Sequence, residues 1–498
     1  MRQSPGKFRS PRARCRKVPM EQPRTPKDRF PIYPFLFAIY PILFLYAKNL
    51  TIVSAADVFR PGAAAIVLAL ILLIAARLLM RNWGKAGILT SVVLLLFFSY
   101  GHVVDVALGV LGGGFRPGLL LFPLWMLIMA AASVLLLRTR KQPAGSAALL
   151  RAMAIALTLF PVAEIALFIP GSHYASAKAW DRYVARSTSG PNALRVDDPA
   201  KMPDIYYIIL DAYSRADFLK ESEGFDNSEF INFLKEKGFY VAEQSRSNYP
   251  STELSIPSSL NMDYIDTLAA QADLGAPSSP ERMRMFSRPV VVQLLKRAGY
   301  TIVEAPSLFQ GYELAAPDIT FGVHGRSSFE LSAVFTDSTM LRILNPRRGV
   351  AWHELLLRSL DSVADVPRIG APTFTLAHVT ITHHPFYFRA DGSINRPVLS
   401  VAESESLPYE EYTKLYVDSI KFVNSRMKVI IQEILEKSAR PPIIIVQGDH
   451  GRVRWSHNQN TTKILNAYYL PGGAAKLLYP AITPVNTFRL GVRLLLWH

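Results

Sequence analysis

Apolar positions fall into two regimes along this chain. Before residue 170 they form long runs; after it they shorten into brief stretches separated by polar, periodic segments. The long runs cover roughly Phe30–Tyr46, Gly62–Met80, Gly87–Val110, Gly118–Leu137 and Ala152–Ile169. A bilayer needs about 20 apolar residues to be crossed as a helix, so the pattern predicts five transmembrane helices over residues 30–170. The first run is interrupted by Pro31, Pro34 and Pro41 and carries Tyr33, Tyr40 and Tyr46 towards its ends, where interfacial aromatics belong. It is too long and too proline-rich for a signal peptide, and no small-residue cleavage site follows it.

Beyond a connector at 171–203, the pattern changes to strands and helices in alternation over residues 204–498. Asp204–Leu210, Tyr300–Glu304, Phe374–Ile381, Ile443–Val446 and Ile464–Leu470 are short and rich in β-branched and aromatic residues, as buried strands are. Ser228–Lys237, Val290–Ala298 and Glu410–Lys437 carry helical periodicity. Such alternation predicts an α/β sandwich with a mostly parallel central sheet covered on both faces. In these sheets chemistry collects just past the carboxyl ends of strands.

Polar residues at those strand ends are the candidate chemistry. Asp211 follows the first strand, His383 and His384 follow Phe374–Ile381, and Asp449-His450-Gly451 follows Ile443–Val446. Carboxylate and imidazole together suit a divalent metal, Zn or Mn foremost, with Ca or Mg as alternatives. Ser247–Leu260 is a hydroxyl-rich stretch that turns into an apolar-periodic segment. It supplies either helix N-caps or a nucleophile at a helix start, where backbone N–H groups hold phosphate oxygens.

Charge changes the picture less than its size suggests. The net charge is +16, but ten Lys/Arg against Glu21 and Asp28 place half of it in residues 1–29. A basic tail with little to bury is disordered. Beside an apolar helix it marks the cytoplasmic side, not a nucleic-acid arm. Basic loops alternate with weakly basic ones, so an odd number of spans puts residues after 170 outside the cytoplasmic membrane. Cys15 is the only cysteine, which excludes an internal disulfide and a Cys-based zinc site. His102, Asp105 and Glu164 are ionisable residues in or near the spans, and such positions are functional candidates. Arg389, Arg452 and Arg454 could bind anions but are expected on the solvated surface.

Taken in order, these elements resemble the alkaline phosphatase/sulfatase superfamily. Tyr-Ile-Ile-Leu-Asp211-Ala-Tyr matches its strand-end acid, and Thr252-Glu-Leu-Ser255-Ile-Pro-Ser-Ser-Leu260 its nucleophile run. Asp449-His450-Gly451 matches its late metal-binding element, and Thr-His383-His-Pro-Phe-Tyr387 its substrate-contacting histidine. The resemblance implies Thr252 as catalytic nucleophile, with Ser251 or Ser255 as alternatives. It implies Asp211, Thr252, Asp449 and His450 as metal site, and His383, His378 and His457 as substrate contacts. Within the superfamily, five spans ahead of the catalytic domain resemble lipoteichoic acid synthase and the lipid A phosphoethanolamine transferases. The expected activity is therefore transfer of a phospholipid headgroup, phosphoethanolamine or glycerol phosphate, to an envelope glycan or lipid through a covalent Thr intermediate. A membrane-anchored hydrolase and a non-catalytic scaffold are the alternatives. Ser259 stands where sulfatases carry Arg, and no cysteine is available as a formylglycine precursor, which argues against a true sulfatase. Asp rather than Glu at position 211 keeps a hydrolase open.

Overall fold

The computed structural model describes residues 30–50, 55–111, 117–139, 144–168, 172–189, 202–307, 311–321, 335–336, 338–344, 350–395, 399, 401–452 and 459–492. The basic tail, His457 and Arg454 lie outside them.

Five apolar helices come first: α1 (Tyr33–Lys48), α2 (Ala55–Met80), α3 (Trp83–Leu111), α4 (Pro117–Arg138) and α5 (Ala144–Phe168). Four of them contain a stretch long and apolar enough to cross a membrane: Val58–Met80, Trp83–Ala107, Leu120–Arg138 and Gly145–Phe168. The fifth expected span, α1, falls short of that length. Its 16 residues span about 24 Å as a helix, against a hydrocarbon core of about 30 Å. α1 is nevertheless packed into the bundle, with Phe37, Ala38 and Ile42 buried. The other helices turn Ile66, Leu70, Ile71, Leu127, Leu135 and Leu159 outward, an apolar surface that water would not tolerate and lipid would.

Contacts between helix ends orient the bundle. The start of α1 packs on the start of α5, Tyr33 and Phe37 meeting Ala147, Leu150 and Ala154. At the other end Lys48 of α1 bonds Glu164 of α5 at 2.7 Å. These two helices therefore run the same way, and residue 30 lies at the end of the bundle opposite the one where α5 finishes.

A further helix, α6 (Ser172–Ser187), occupies the stretch expected to be a connector. It buries Trp180, Tyr183 and Val184 against Leu268, Met285 and Val290 of the soluble half. It is helical because its apolar stripe has a partner.

The soluble half is built on seven strands: β1 (Ile205–Leu210), β2 (Tyr240–Val241), β3 (Thr301–Ala305), β4 (Ile319–Thr320), β5 (Thr373–Val379), β6 (Ile443–Gly448) and β7 (Asn466–Tyr469), in the order β2-β7-β6-β1-β5-β3-β4. β1 pairs parallel with β5 and β6, and β3 with β4 and β5. β7 runs antiparallel to β2 and β6. The sheet is thus mixed, with β7 running against both of its neighbours.

All six residues of β1 are buried, and they alternate between two cores. Tyr206, Ile208 and Leu210 meet the long helix Tyr409–Lys437 through Ile420, Val423, Met427 and Ile430. Six helices follow β1 before β3: α7 (Ala216–Glu223), α8 (Ser228–Glu236), α9 (Thr252–Leu260), α10 (Ile265–Gln271), α11 (Ser279–Ser287) and α12 (Val290–Arg297). Ile205, Tyr207 and Ile209 meet Ile256 and Leu260 of α9 and Val291 and Leu295 of α12. Each such burial stabilises by about 1.5–3 kcal/mol, and the double-sided demand explains why the run reads as continuous rather than alternating.

Gly448, the last residue of β6, sits where an added Cβ would lie 2.5 Å from the carbonyl oxygen of Tyr213. That backbone carries the loop after β1. Gly448→Ala is expected to destabilise the soluble half by about 1–3 kcal/mol, seen as a lowered unfolding temperature in detergent. An unchanged transition would show that the loop after β1 is free to shift.

Candidate metal and nucleophile site

Register creates the site. Leu210 pairs with Val379 on one side and Gly448 on the other, so β1, β5 and β6 end level. The next residues, Asp211, Thr380 and Asp449, emerge side by side. Asp211, Asp449 and His450 are buried, and each offers a ligand atom within 4.8 Å of the others'.

Each side chain is held by identifiable partners. Asp449 Oδ1 accepts the N–H groups of Ala212 (3.1 Å) and His450 (2.9 Å), leaving Oδ2 facing the cluster. His450 Nδ1 lies 2.8 Å from the Gly451 carbonyl. A carbonyl only accepts, so Nδ1 carries the proton and Nε2 is directed at Asp211 Oδ1 (3.4 Å) and Asp449 Oδ2 (3.5 Å). Gly451 is required here because a Cβ would meet the Lys463 carbonyl at 2.9 Å and that of Thr461 at 3.1 Å.

Thr252 is the first residue of α9, and Ser251 is its N-cap residue, with extended backbone and no side-chain cap bond. The Thr252 hydroxyl donates to Asp449 Oδ2 at 2.7 Å and lies 3.1 Å from His450 Nε2. Ser255, the alternative hydroxyl one turn on, donates to the Asp449 carbonyl at 2.5 Å. It fixes the strand-end loop, while Thr252 reaches the cluster itself. α9 also directs the positive end of its dipole at this point.

Electrostatics favour a bound cation. Burial would raise the Asp211 carboxyl, yet the imidazoles of His383, His378 and His450 hold it well below the usual carboxylate range. Burial would lower His450, but Asp449 and Asp211 together push it up. Asp211 Oδ1 is buried with no hydrogen bond of its own. Two buried carboxylates, an orphaned oxygen and a deprotonatable imidazole fit a divalent ion by donor type and by charge.

The remaining histidines separate by location. His378 is buried on β5, its Nε2 3.3 Å from Asp211 Oδ2, so it stands behind that carboxylate. His383 is half-buried and faces the cluster, its ring 6.4 Å from that of His450 and 4.2 Å from that of His384. His384 is buried between Tyr412 and Glu405, its Nδ1 3.2 Å from the Tyr412 hydroxyl and its Nε2 3.3 Å from Glu405 Oε1. Burial, then the charge of His383, drives its pKa down to about 3, leaving it neutral. His457 falls outside the described residues.

Several supporting residues escaped the sequence reading. Tyr416 of the long helix donates to the Ala212 carbonyl (2.8 Å) and accepts the Ser214 N–H (3.1 Å). It thereby holds Ala212 at φ 57°, a left-handed conformation costly for a residue with a Cβ. Thr382 donates to the Asp211 carbonyl. Tyr312 stacks edge-on to Phe286 and His378. Burial, with the charges of Glu253, Asp211 and Asp449, pushes its phenol well above the ordinary range. Arg452, whose expected place was the solvated surface, is buried. It pairs with Glu223 beneath the rings of Tyr409, Tyr412 and Tyr416. Nothing in local sequence marks these residues, because their partners lie up to some two hundred positions away.

Comparison with known proteins finds no matching family model and no matching curated protein. Solved structures show remote likeness. The integral membrane lipooligosaccharide phosphoethanolamine transferase A (EptA) of Neisseria meningitidis is 12% identical, over 88% of each chain, with a TM-score of 0.38. Lipoteichoic acid synthase LtaP of Listeria monocytogenes is 10% identical, over 59% of this chain and 72% of its own, at 0.35. A protein in the alkaline phosphatase superfamily from Vibrio parahaemolyticus is 11% identical, over 65% and 76%, at 0.31. Likeness at this level describes what the chain is similar to, and the chemistry is argued from its own residues.

Asp211→Asn or Asp449→Asn is expected to abolish stoichiometric metal in the purified protein, read by elemental mass spectrometry. His378→Phe, which preserves bulk but removes the imidazole behind Asp211, should weaken metal affinity about 10–100-fold. Full metal content in Asp211→Asn would remove that carboxylate from the ligand set.

Proposed function

We propose that this chain is a metal-dependent, membrane-bound transferase that moves a phospholipid headgroup to an envelope acceptor through a covalent intermediate on Thr252. The observation that carries this reading is the Thr252 hydroxyl at the start of α9, 2.7 Å from Asp449 Oδ2, inside a three-residue ligand cluster. A nucleophile, a ligand set and a helix N-terminus converge there on one phosphate-sized locus.

Asp211, Asp449 and His450 would hold the cation, Zn or Mn by donor type; when bound it lowers the pKa of the Thr252 hydroxyl and offsets phosphate charge. Asp449 Oδ2, 2.7 Å away, orients the hydroxyl, whose proton passes on to the departing diacylglycerol oxygen. Thr252 Oγ1 then forms a bond to phosphorus of the donor phosphodiester while the bond from phosphorus to the diacylglycerol oxygen breaks, and diacylglycerol leaves with a proton. His383, facing the cluster, steadies the phosphoryl oxygens. An acceptor hydroxyl on a glycan or lipid next attacks the same phosphorus while the bond from Thr252 Oγ1 to phosphorus breaks, and its proton passes to Oγ1, regenerating the Thr252 hydroxyl and completing transfer.

The apolar helices place the site near a donor that stays in the bilayer, which raises its effective concentration. Residue 30 and the soluble half lie at opposite ends of the bundle. With the basic tail on the cytoplasmic side, the catalytic half faces the periplasm or cell exterior. α1 completes its crossing with the flanking residues 30–32 and the shielding of its neighbours. A hydrolase reading uses the same residues and differs only in admitting water to the second step.

Intact-protein mass spectrometry from native membranes should show a phosphoethanolamine or glycerol phosphate adduct on Thr252. Thr252→Ala should lose the adduct and at least about 10³-fold in turnover. An adduct on Ser251 or Ser255 would overturn the nucleophile assignment, and rapid lipid-independent hydrolysis without transfer would favour the hydrolase.

A further inference from the structure

Outside the cluster, a charged contact joins the membrane helices to the soluble half. Arg342, in the 3₁₀ segment Met340–Leu344, places Nη1 2.7 Å from Asp105 Oδ1 of α3 and donates to the Gly101 carbonyl at 3.3 Å. Its side chain is only 8% exposed, and Nη2 approaches Glu403 Oε1 at 3.7 Å. Apolar contacts surround the pair. Met340 and Ile343 pack on Tyr100, Val104 and Trp125, and Phe335 meets Phe98 edge-on at 5.7 Å. Trp125 is itself anchored to α3 by a bond to the Leu96 carbonyl at 2.9 Å.

Glu403 belongs to the short helix Val401–Glu405, which also packs on α3. Two residues on, Glu405 faces His384 at 3.3 Å, and the His384 ring stacks on His383. One rigid turn of helix therefore touches the membrane helix on one side and the histidine pair of the catalytic site on the other.

We infer that Arg342 docks the catalytic half onto α3 through Asp105, and that this dock, acting through the helix Val401–Glu405, makes Asp105 and Arg342 positioning residues for His384 and His383. The physical basis is the contrast in environment. An ion pair exposed on both sides contributes little; here Asp105 is 42% exposed but the arginine is 8% exposed, so losing Asp105 leaves an enclosed guanidinium with only the Gly101 carbonyl and the more distant Glu403 as polar partners. Loss of either partner is therefore expected to open the contact. It accounts for Asp105, an acid in an apolar helix. It concerns no residue of the ligand cluster, and only its second half rests on the proposed activity.

The test uses the full chain in proteoliposomes with Cys15→Ser and a reporter, Ile343→Cys, at the packed contact. With Asp105 and Arg342 intact, a membrane-impermeant maleimide should label the reporter slowly. Asp105→Arg, and independently Arg342→Met, which leaves the membrane helix untouched, should each accelerate labelling about tenfold or more. Combining Asp105→Arg with Arg342→Asp should restore slow labelling. Equal rates in the intact protein and Arg342→Met would overturn the dock. For the positioning half, kcat for diacylglycerol release from phosphatidylethanolamine of the vesicles should fall in Arg342→Met with KM unchanged. Unchanged kcat alongside faster labelling would overturn positioning. Absence of turnover in the intact protein would count against the proposed function, while the labelling still decides the dock.

Discussion

Everything in the soluble half depends on β1 lying between β5 and β6 in a register that ends all three strands together. That alignment forces Asp211 and Asp449 into one buried volume, an arrangement that two carboxylates do not adopt unaided. Like charges in low dielectric repel strongly, and one of them would take up a proton unless a positive group stood between them. Here His450 supplies part of that charge, with Nε2 aimed at both acids and Nδ1 committed to the Gly451 carbonyl. A divalent cation would supply the rest. The electrostatic tension of the fold and the proposed chemistry are the same fact.

Holding two such strand ends level requires support from the opposite layer. The long helix Tyr409–Lys437 packs its apolar stripe on one face of β1, yet it also sends Tyr416 to the loop that follows the strand. Without that hydroxyl, the left-handed Ala212 would have no compensation for its backbone strain, and Asp211 and the Ala212 N–H that orients Asp449 would be released together. From the other face, α9 delivers Thr252 to the cluster and uses Ser255 to tie down the Asp449 carbonyl. The hydroxyl-rich run therefore divides its labour. One side chain is presented to the ligands, and another fixes the frame that receives it.

How far the sequence revealed this follows from the range of each interaction. Strands β1, β3, β5, β6 and β7 and the helices Ser228–Glu236, Val290–Arg297 and Tyr409–Lys437 were legible, because double-sided burial and helical periodicity are local patterns. The two-residue strands β2 and β4 were not, since nothing so short has a period. The antiparallel course of β7 was also hidden, because direction is a property of the connection, not of the strand. Asp211 and Asp449-His450 were visible through their place after apolar runs. Tyr416, Thr382 and Tyr312 were invisible, since their roles exist only once distant elements meet. Arg452 misled for the opposite reason: an arginine after a turn looks solvated until three tyrosines close over it.

The bundle and the cluster share one geometric problem. A lipid phosphodiester is confined near the headgroup layer, whereas a soluble α/β unit tethered by a single chain would sample many orientations above it. Orientational freedom of that kind is costly to remove at every turnover, and positioned reactants gain by having lost it beforehand. The chain limits it twice. Helix α6 packs Trp180 and Tyr183 into the catalytic half, so the exit from α5 enters a packed element. The contact between Arg342 and Asp105 then joins the catalytic half to a second membrane helix. Two points of attachment on different helices define an orientation where one defines only a distance. Under the proposed function, the choice between transfer and hydrolysis follows from the same constraint. A site held against the headgroup layer would meet acceptors from that layer before bulk water, and competition for the phosphoryl group would be decided by which hydroxyl arrives in line.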